Sequence, residues 1–118
     1  MSEIPTLDAL TVPLRALRLL AVDFGHLPGP EVRVSTIIPD ALCLAWHETT
    51  MGSGQSLTAF EQWREALGIE PDAVEYRTQA GGLTTVLLAS GTYGGATVEL
   101  TAYAASPQAA NSRTGVSA

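Results

Sequence analysis

The sequence predicts an α+β fold. It would be a two-layer sandwich in the order α-β-β-α-β-β-β, with an antiparallel sheet whose C-terminal three-stranded meander packs on two helices. Three observations carry this. Val74–Tyr103 divides into three strand-like runs separated by Gly81-Gly82 and Gly94-Gly95. Leu7, Leu10, Leu14, Leu17 and Ala21 recur at three- and four-residue steps, and so do Leu57, Phe60, Trp63 and Leu67. Helices with one apolar stripe and strands with one apolar face bury those surfaces against each other.

A Gly-Gly pair between strands predicts a two-residue turn, because the I′ and II′ types need positive φ. With Gly81-Gly82 as the loop, Ala80 faces Leu83, Thr78 faces Thr85, Tyr76 faces Leu87 and Val74 faces Ala89. With Gly94-Gly95 as the loop, Tyr93 faces Ala96, Gly91 faces Val98, Ala89 faces Leu100 and Leu87 faces Ala102. The two registers agree. A side-chain period of two then collects Val74, Tyr76, Leu83, Leu87, Ala89, Val98, Leu100 and Ala102 on one face. The other face holds Glu75, Arg77, Gln79, Thr84, Ser90, Glu99 and Thr101, with three apolar exceptions: Val86, Leu88 and Tyr103.

Pro13 fits the first turn of a helix beginning near Thr11 and would kink one beginning at Thr6. The first helix is therefore expected to be broken or kinked, with its regular part from about Val12 to Val22. Gly25 is a C-terminal stop, and His26–Pro30 a stiff linker. Val32–Ile38 and Leu42–Glu48 read as a hairpin about Pro39-Asp40. A two-residue loop would set Val34 opposite Ala45. A three-residue loop sets Val34 opposite Trp46 and gathers Val32, Val34, Ile38, Leu42, Leu44 and Trp46 on one face. The second buries more apolar area and is preferred.

Thr49–Gln55 is a Gly/Ser-rich loop. Ser56 is expected to cap a helix to about Leu67, with Glu61, Arg64 and Glu65 on its wet side. Gly68 ends it, Ile69 packs back on the last turn, and Pro71 prevents continuation. Residues 1–104 form one domain on this reading. Residues 105–118 lack an apolar period and read as a disordered tail.

A chain of 118 residues, 46% hydrophobic, can bury one core. A single cysteine rules out an internal disulfide framework and points to a reducing compartment. All six basic residues are arginine, against twelve acidic ones. The net charge of −6 disfavours sequence-independent DNA binding. Glu3 and Asp8 precede any basic residue, and Arg15 and Arg18 interrupt the apolar run. That fits neither a signal peptide nor the ~20 apolar residues of a membrane span, so a cytoplasmic protein is expected.

Gly52-Ser-Gly54 is no phosphate loop, which needs GxxxxGK, and the chain has no lysine. Cys43 and His47 share a strand face, but about 13 Å separates them at ~3.3 Å per residue, too far for a nucleophile and its base. Two histidines and one cysteine without short ligand spacing argue against a metal site. No cofactor is expected. Glu61 and Glu65 flank Arg64 on one helical face, an ordinary solvated arrangement.

Three segments, HLPGPEVRVSTIIPDALCLAWH (His26–His47), FEQWREALGI (Phe60–Ile69) and YRTQAGG (Tyr76–Gly82), together resemble small uncharacterised proteins of GC-rich bacterial genomes and mobile elements. The resemblance spans most of the chain expected to be ordered. It implies a bacterial cytoplasmic setting and assigns no activity to any residue.

The expected function is that of a non-enzymatic interaction or accessory module, self-associating through the outer face of the meander. In the derived register Val86 lies opposite Tyr103 and Leu88 opposite Thr101, with Arg77 and Glu75 as a polar border. An apolar centre with a tyrosine and an Arg/Glu rim is interface composition. The partner would be a second copy or another protein, with no direct nucleic-acid or membrane contact. The alternative is a small-ligand-binding domain or small enzyme. Its pocket would lie between the sheet and the 49–55 loop and use His47, Ser53 and Trp63. Titratable residues scattered singly over the faces weigh against an enzyme.

Overall fold

Among the described residues the chain forms two α-helices, α1 (Thr11–Asp23) and α2 (Gln55–Ala66), and five strands. The strands are β1 (Glu31–Ser35), β2 (Ile38–His47), β3 (Glu75–Gln79), β4 (Thr84–Tyr93) and β5 (Ala96–Ala105). The computed structural model describes residues 4–47, 54–82 and 84–105. The strands make one sheet in the order β1-β2-β5-β4-β3. It is mixed and not antiparallel as expected, because β2 and β5 pair in parallel. A parallel pair needs a long crossover, and the chain between them carries α2 and the β3–β4 hairpin. The first hairpin and the meander thus share one sheet, with β5 at its centre.

The meander has the register read from its glycine pairs. Tyr76 faces Leu87 and Thr78 faces Thr85. Ala89 faces Leu100 and Tyr93 faces Ala96. Gly81 and Gly82 have φ of 67° and 90°, and Gly94 and Gly95 of 59° and 85°, the double positive φ of a type I′ turn.

The first hairpin departs from expectation. Its tip is Thr36-Ile37 and not Pro39-Asp40, with Ser35 opposite Ile38. The Ser35 hydroxyl accepts a hydrogen bond from the Ile37 N–H at 3.1 Å, which closes the turn three residues early. Val32 faces Leu44, so Val34 does not lie opposite Trp46. The slip is even, and Leu42, Leu44 and Trp46 still point into the core together. Ile38 is left 59% exposed.

A 3-10 turn at Leu7–Leu10 precedes α1, and Pro13 sits in the first turn. The buried stripe is Pro13, Ala16 and Leu20, not Leu7, Leu10, Leu14, Leu17 and Ala21. Leu7 and Leu14 are exposed, and Leu17 packs only partly on the core. The helix is rotated because it rests on the β4–β5 turn. A Cβ on Gly94 would lie 3.3 Å from the Ala16 Cα, so the turn approaches the helix this closely only as glycine.

In α2 the N-cap is Gly54, and Ser56 lies buried inside the first turn instead of capping it. Ala59, Phe60 and Trp63 face the core; Leu57 and Leu67 pack at its margin. The helix ends in a Schellman motif. The Gly68 N–H donates to the Glu65 carbonyl and the Ile69 N–H to the Arg64 carbonyl, both at 3.1 Å. Arg64 is buried and not on the wet side. Its Nη1 donates to the Ile69 carbonyl at 2.6 Å, and Nε donates to Glu61 at 2.8 Å. The folded-back loop thus captures the guanidinium.

Both helices pack on one sheet face, where Phe60, Trp63, Leu87 and Leu100 share a single core with Leu42, Leu44 and Val98. Tyr76, expected on this face, is on it but 74% exposed, because the helices pack on β2 and β5 and β3 lies at the edge of the sheet. β5 continues through Ala105, one residue past the expected domain end, and buries Ala104. The rest of the expected tail lies outside the described residues. Among the described residues no helix is long and apolar enough to cross a membrane.

Candidate functional site

The opposite sheet face carries side chains in registered rows. One row runs Arg33, Cys43, Glu99, Ser90. The next runs Glu31, Ala45, Thr101, Leu88, Glu75. A third runs His47, Tyr103, Val86, Arg77. Strand alternation places all of these away from the helices. In the last two rows the β4 and β5 residues are uncharged and the edge strands carry the charges, while in the first row Glu99 stands exposed on central strand β5.

The five residues singled out by sequence come together here. Val86 is 2% exposed, between Tyr103 and Arg77 in the ladder. Leu88 and Tyr103 are half-buried. Glu75 and Arg77 are exposed on edge strand β3, with 3.5 Å between Arg77 Nη2 and Glu75 Oε2. A shallow cavity of about 290 Å³ opens on the same face, lined by Glu75, Arg77, Leu88, Ser90, Glu99 and Thr101.

His47 and Cys43 join the face through the parallel β2–β5 pairing. The His47 ring stacks on Tyr103 with centroids 4.7 Å apart and planes 7° apart. His47 Nε2 lies 3.6 Å from Glu31 Oε2. The Cys43 thiol donates to Glu99 Oε2 at 3.2 Å. Burial pushes the thiol pKa up, and the hydrogen bond to Glu99 and that carboxylate's charge push it further, against a lesser pull from Arg33. The group is held as a thiol, which is the reverse of what a nucleophile needs. These contacts escape sequence reading because they hang on which strand lies beside β2.

His47, Ser53 and Trp63 do not form one site in the described residues. Ser53 lies outside them. His47 is on the open face, while Trp63 is buried on the helical face and donates its indole N–H to the Pro28 carbonyl at 2.8 Å. The sheet separates the two. A cleft of about 490 Å³ does border His47, with Gly29, Pro30, Glu31 and Gln55 among its walls. No group of three or more His, Cys, Asp or Glu side chains that could hold a metal occurs among the described residues.

The chain matches no protein-family model, no curated protein and no solved structure.

Proposed function

We propose that this chain is a non-enzymatic interaction module that self-associates through the sheet face on which no described helix packs. The observation that carries the reading is the arrangement on that face. Leu88 and Tyr103 stand half-buried beside Val86, which is already covered within the chain, and Glu75 and Arg77 stand exposed at the border. An apolar centre with an aromatic and an Arg-containing rim is what protein interfaces select.

Size and charge support a second copy as the occupant. At ~4.8 Å between strands and ~3.3 Å per residue, five strands present roughly 600 Å² of flat area. A standard interface takes about 800 Å² of accessible surface per partner, and side-chain relief brings the two figures together. Glu31 and Arg33 on β1, like Glu75 and Arg77 on β3, put both charges on each edge of the face. Such a surface can complement itself. We assign the module to the cytoplasm, where Cys43 held as a thiol would persist.

The test is the solution mass of the wild type and of Leu88→Glu, by analytical ultracentrifugation. Leu88 is half-buried on this face, so its substitution spares the helical core. A dimeric wild type and a monomeric, folded Leu88→Glu are expected. A wild type that stays monomeric at high micromolar concentration overturns the reading.

A further inference from the structure

The rows on the open face restrict how two copies can meet. Glu75 pairs with Leu88 in one row, and Arg77 pairs with Val86 in the next. The rows are two residues apart, about 6.6 Å along the strands. A closed dimer uses a two-fold axis, and a face-to-face one needs that axis in the plane of the interface.

Charge and the apolar side chains together separate the choices, since an axis midway between the Arg33 and Glu31 rows also pairs opposite charges but lays Leu88 over Ser90. An axis along central strand β5 exchanges β1 with β3 and sets Glu31 against Glu75 of the second copy. An axis across the strands and through one row sets Glu75 or Arg77 against itself. An axis across the strands, midway between the rows, sets each row on the other. Leu88 then lies over the Val86 row, Thr101 over Tyr103, and Glu75 over Arg77, each twice. In that placement Glu31 falls opposite Gly29 and Glu99 opposite Ala105, so like charges do not meet.

We infer that two copies pair face to face about this axis, locked by reciprocal Glu75–Arg77 ion pairs between copies. The inference rests on the self-association reading and specifies its geometry. Both side chains have the freedom to reach across. They are 66% and 68% exposed, and their separation within one chain is 3.5 Å, at the long end of an ion pair. Like-charge juxtaposition across an interface is costly, and symmetry doubles each contact.

The experiment is a charge-reversal mixture. Glu75→Arg places arginine against arginine twice, and Arg77→Glu places glutamate against glutamate twice. Each alone should weaken self-association on the order of tenfold or more. Mixed one to one, each reversed chain supplies the charge the other lacks, and a mixed dimer of near wild-type affinity should form. Sedimentation of each variant and of the mixture reads this, with circular dichroism as the fold check. Glu75→Lys and Arg77→Asp repeat the test if either first variant unfolds. Two outcomes overturn the inference: reversals that leave the dimer intact, or a mixture that stays monomeric. If Leu88→Glu is also monomeric in either case, the self-association reading stands while this geometry fails. A monomeric wild type removes both.

Discussion

Trp46 and Trp63 converge on one acceptor. Their rings lie 5.9 Å apart, and both indole N–H groups donate to the Pro28 carbonyl, at 3.4 and 2.8 Å. One tryptophan comes from β2 and the other from α2, so a single backbone oxygen in the linker ties strand, helix and linker together. Phe24 packs edge-on against Trp63 at 6.3 Å and completes the cover over this end of the core.

This shared acceptor predicts non-additive substitutions. Trp46→Phe leaves Pro28 with its shorter bond, and Trp63→Phe leaves it with the longer one. The second should cost more, by about 0.5–1.5 kcal/mol for the hydrogen bond itself. The double variant strands the carbonyl without either donor, and its loss should exceed the sum of the singles. Urea denaturation of the four proteins closes the cycle. Additive losses would show that the two indoles do not share the oxygen.

Leu87 and Tyr76 are partners across the β3–β4 ladder, yet their burial differs. Leu87 is 7% exposed in the core and Tyr76 is 74% exposed beyond it. Leu87→Ala should cost about 2–5 kcal/mol. Tyr76→Ala should fall within ~0.5 kcal/mol of wild type, as surface changes do. Equal losses at the two positions in chemical denaturation would contradict the placement of the helical layer.

The difference between those neighbours also marks what the sequence makes legible. The meander register follows from local chemistry, since Gly81-Gly82 and Gly94-Gly95 fix the turns and the period of two does the rest. That register alone brings Val86, Leu88, Tyr103, Glu75 and Arg77 together. The direction of β2 beside β5 is not legible. Cys43, Ala45 and His47 alternate identically whichever strand flanks them, so the His47–Tyr103 stack and the Cys43–Glu99 bond leave no trace in the pattern. The face of α1 is misread for a related reason. Periodicity finds an apolar stripe but not its contact. The close crossing at Gly94 buries Ala16, a residue too small to stand out in any stripe. Arg64 is misread because its burial depends on the Schellman fold-back that delivers the Ile69 carbonyl.

The same arginine sets an acid-side dependence. The hydrogen bond from Arg64 holds the Glu61 carboxyl below the usual carboxylate range, with burial opposing and the guanidinium charge helping. A carboxyl depressed in the folded state adds stability that is present above its unfolded value, about 4.3. That stability is lost as pH falls through the lower folded value. Glu61→Gln should therefore lower stability at neutral pH and flatten its decline below about pH 4.3. Thermal melts of both proteins across that range would read it. Parallel acid limbs would mean that the carboxylate contributes nothing.

The Cys43 thiol behaves in the opposite sense. Burial and the neighbouring Glu99 carboxylate raise its pKa, while Arg33 pulls it back weakly. A group with a raised folded pKa adds stability that is complete below its unfolded value, about 8.5, and is lost as pH rises through the folded one. Cys43 should therefore alkylate with iodoacetamide more slowly at pH 8 than a free cysteine peptide, because the thiolate is the reacting form. Glu99→Gln removes the charge and keeps a hydrogen-bond acceptor in place. Its thiol pKa should fall part of the way back, with burial still holding it up, and alkylation should speed up. The rate–pH profile of the variant should shift toward lower pH by the same cause. An unchanged profile would show that Glu99 does not act on the thiol, and that burial alone keeps Cys43 protonated.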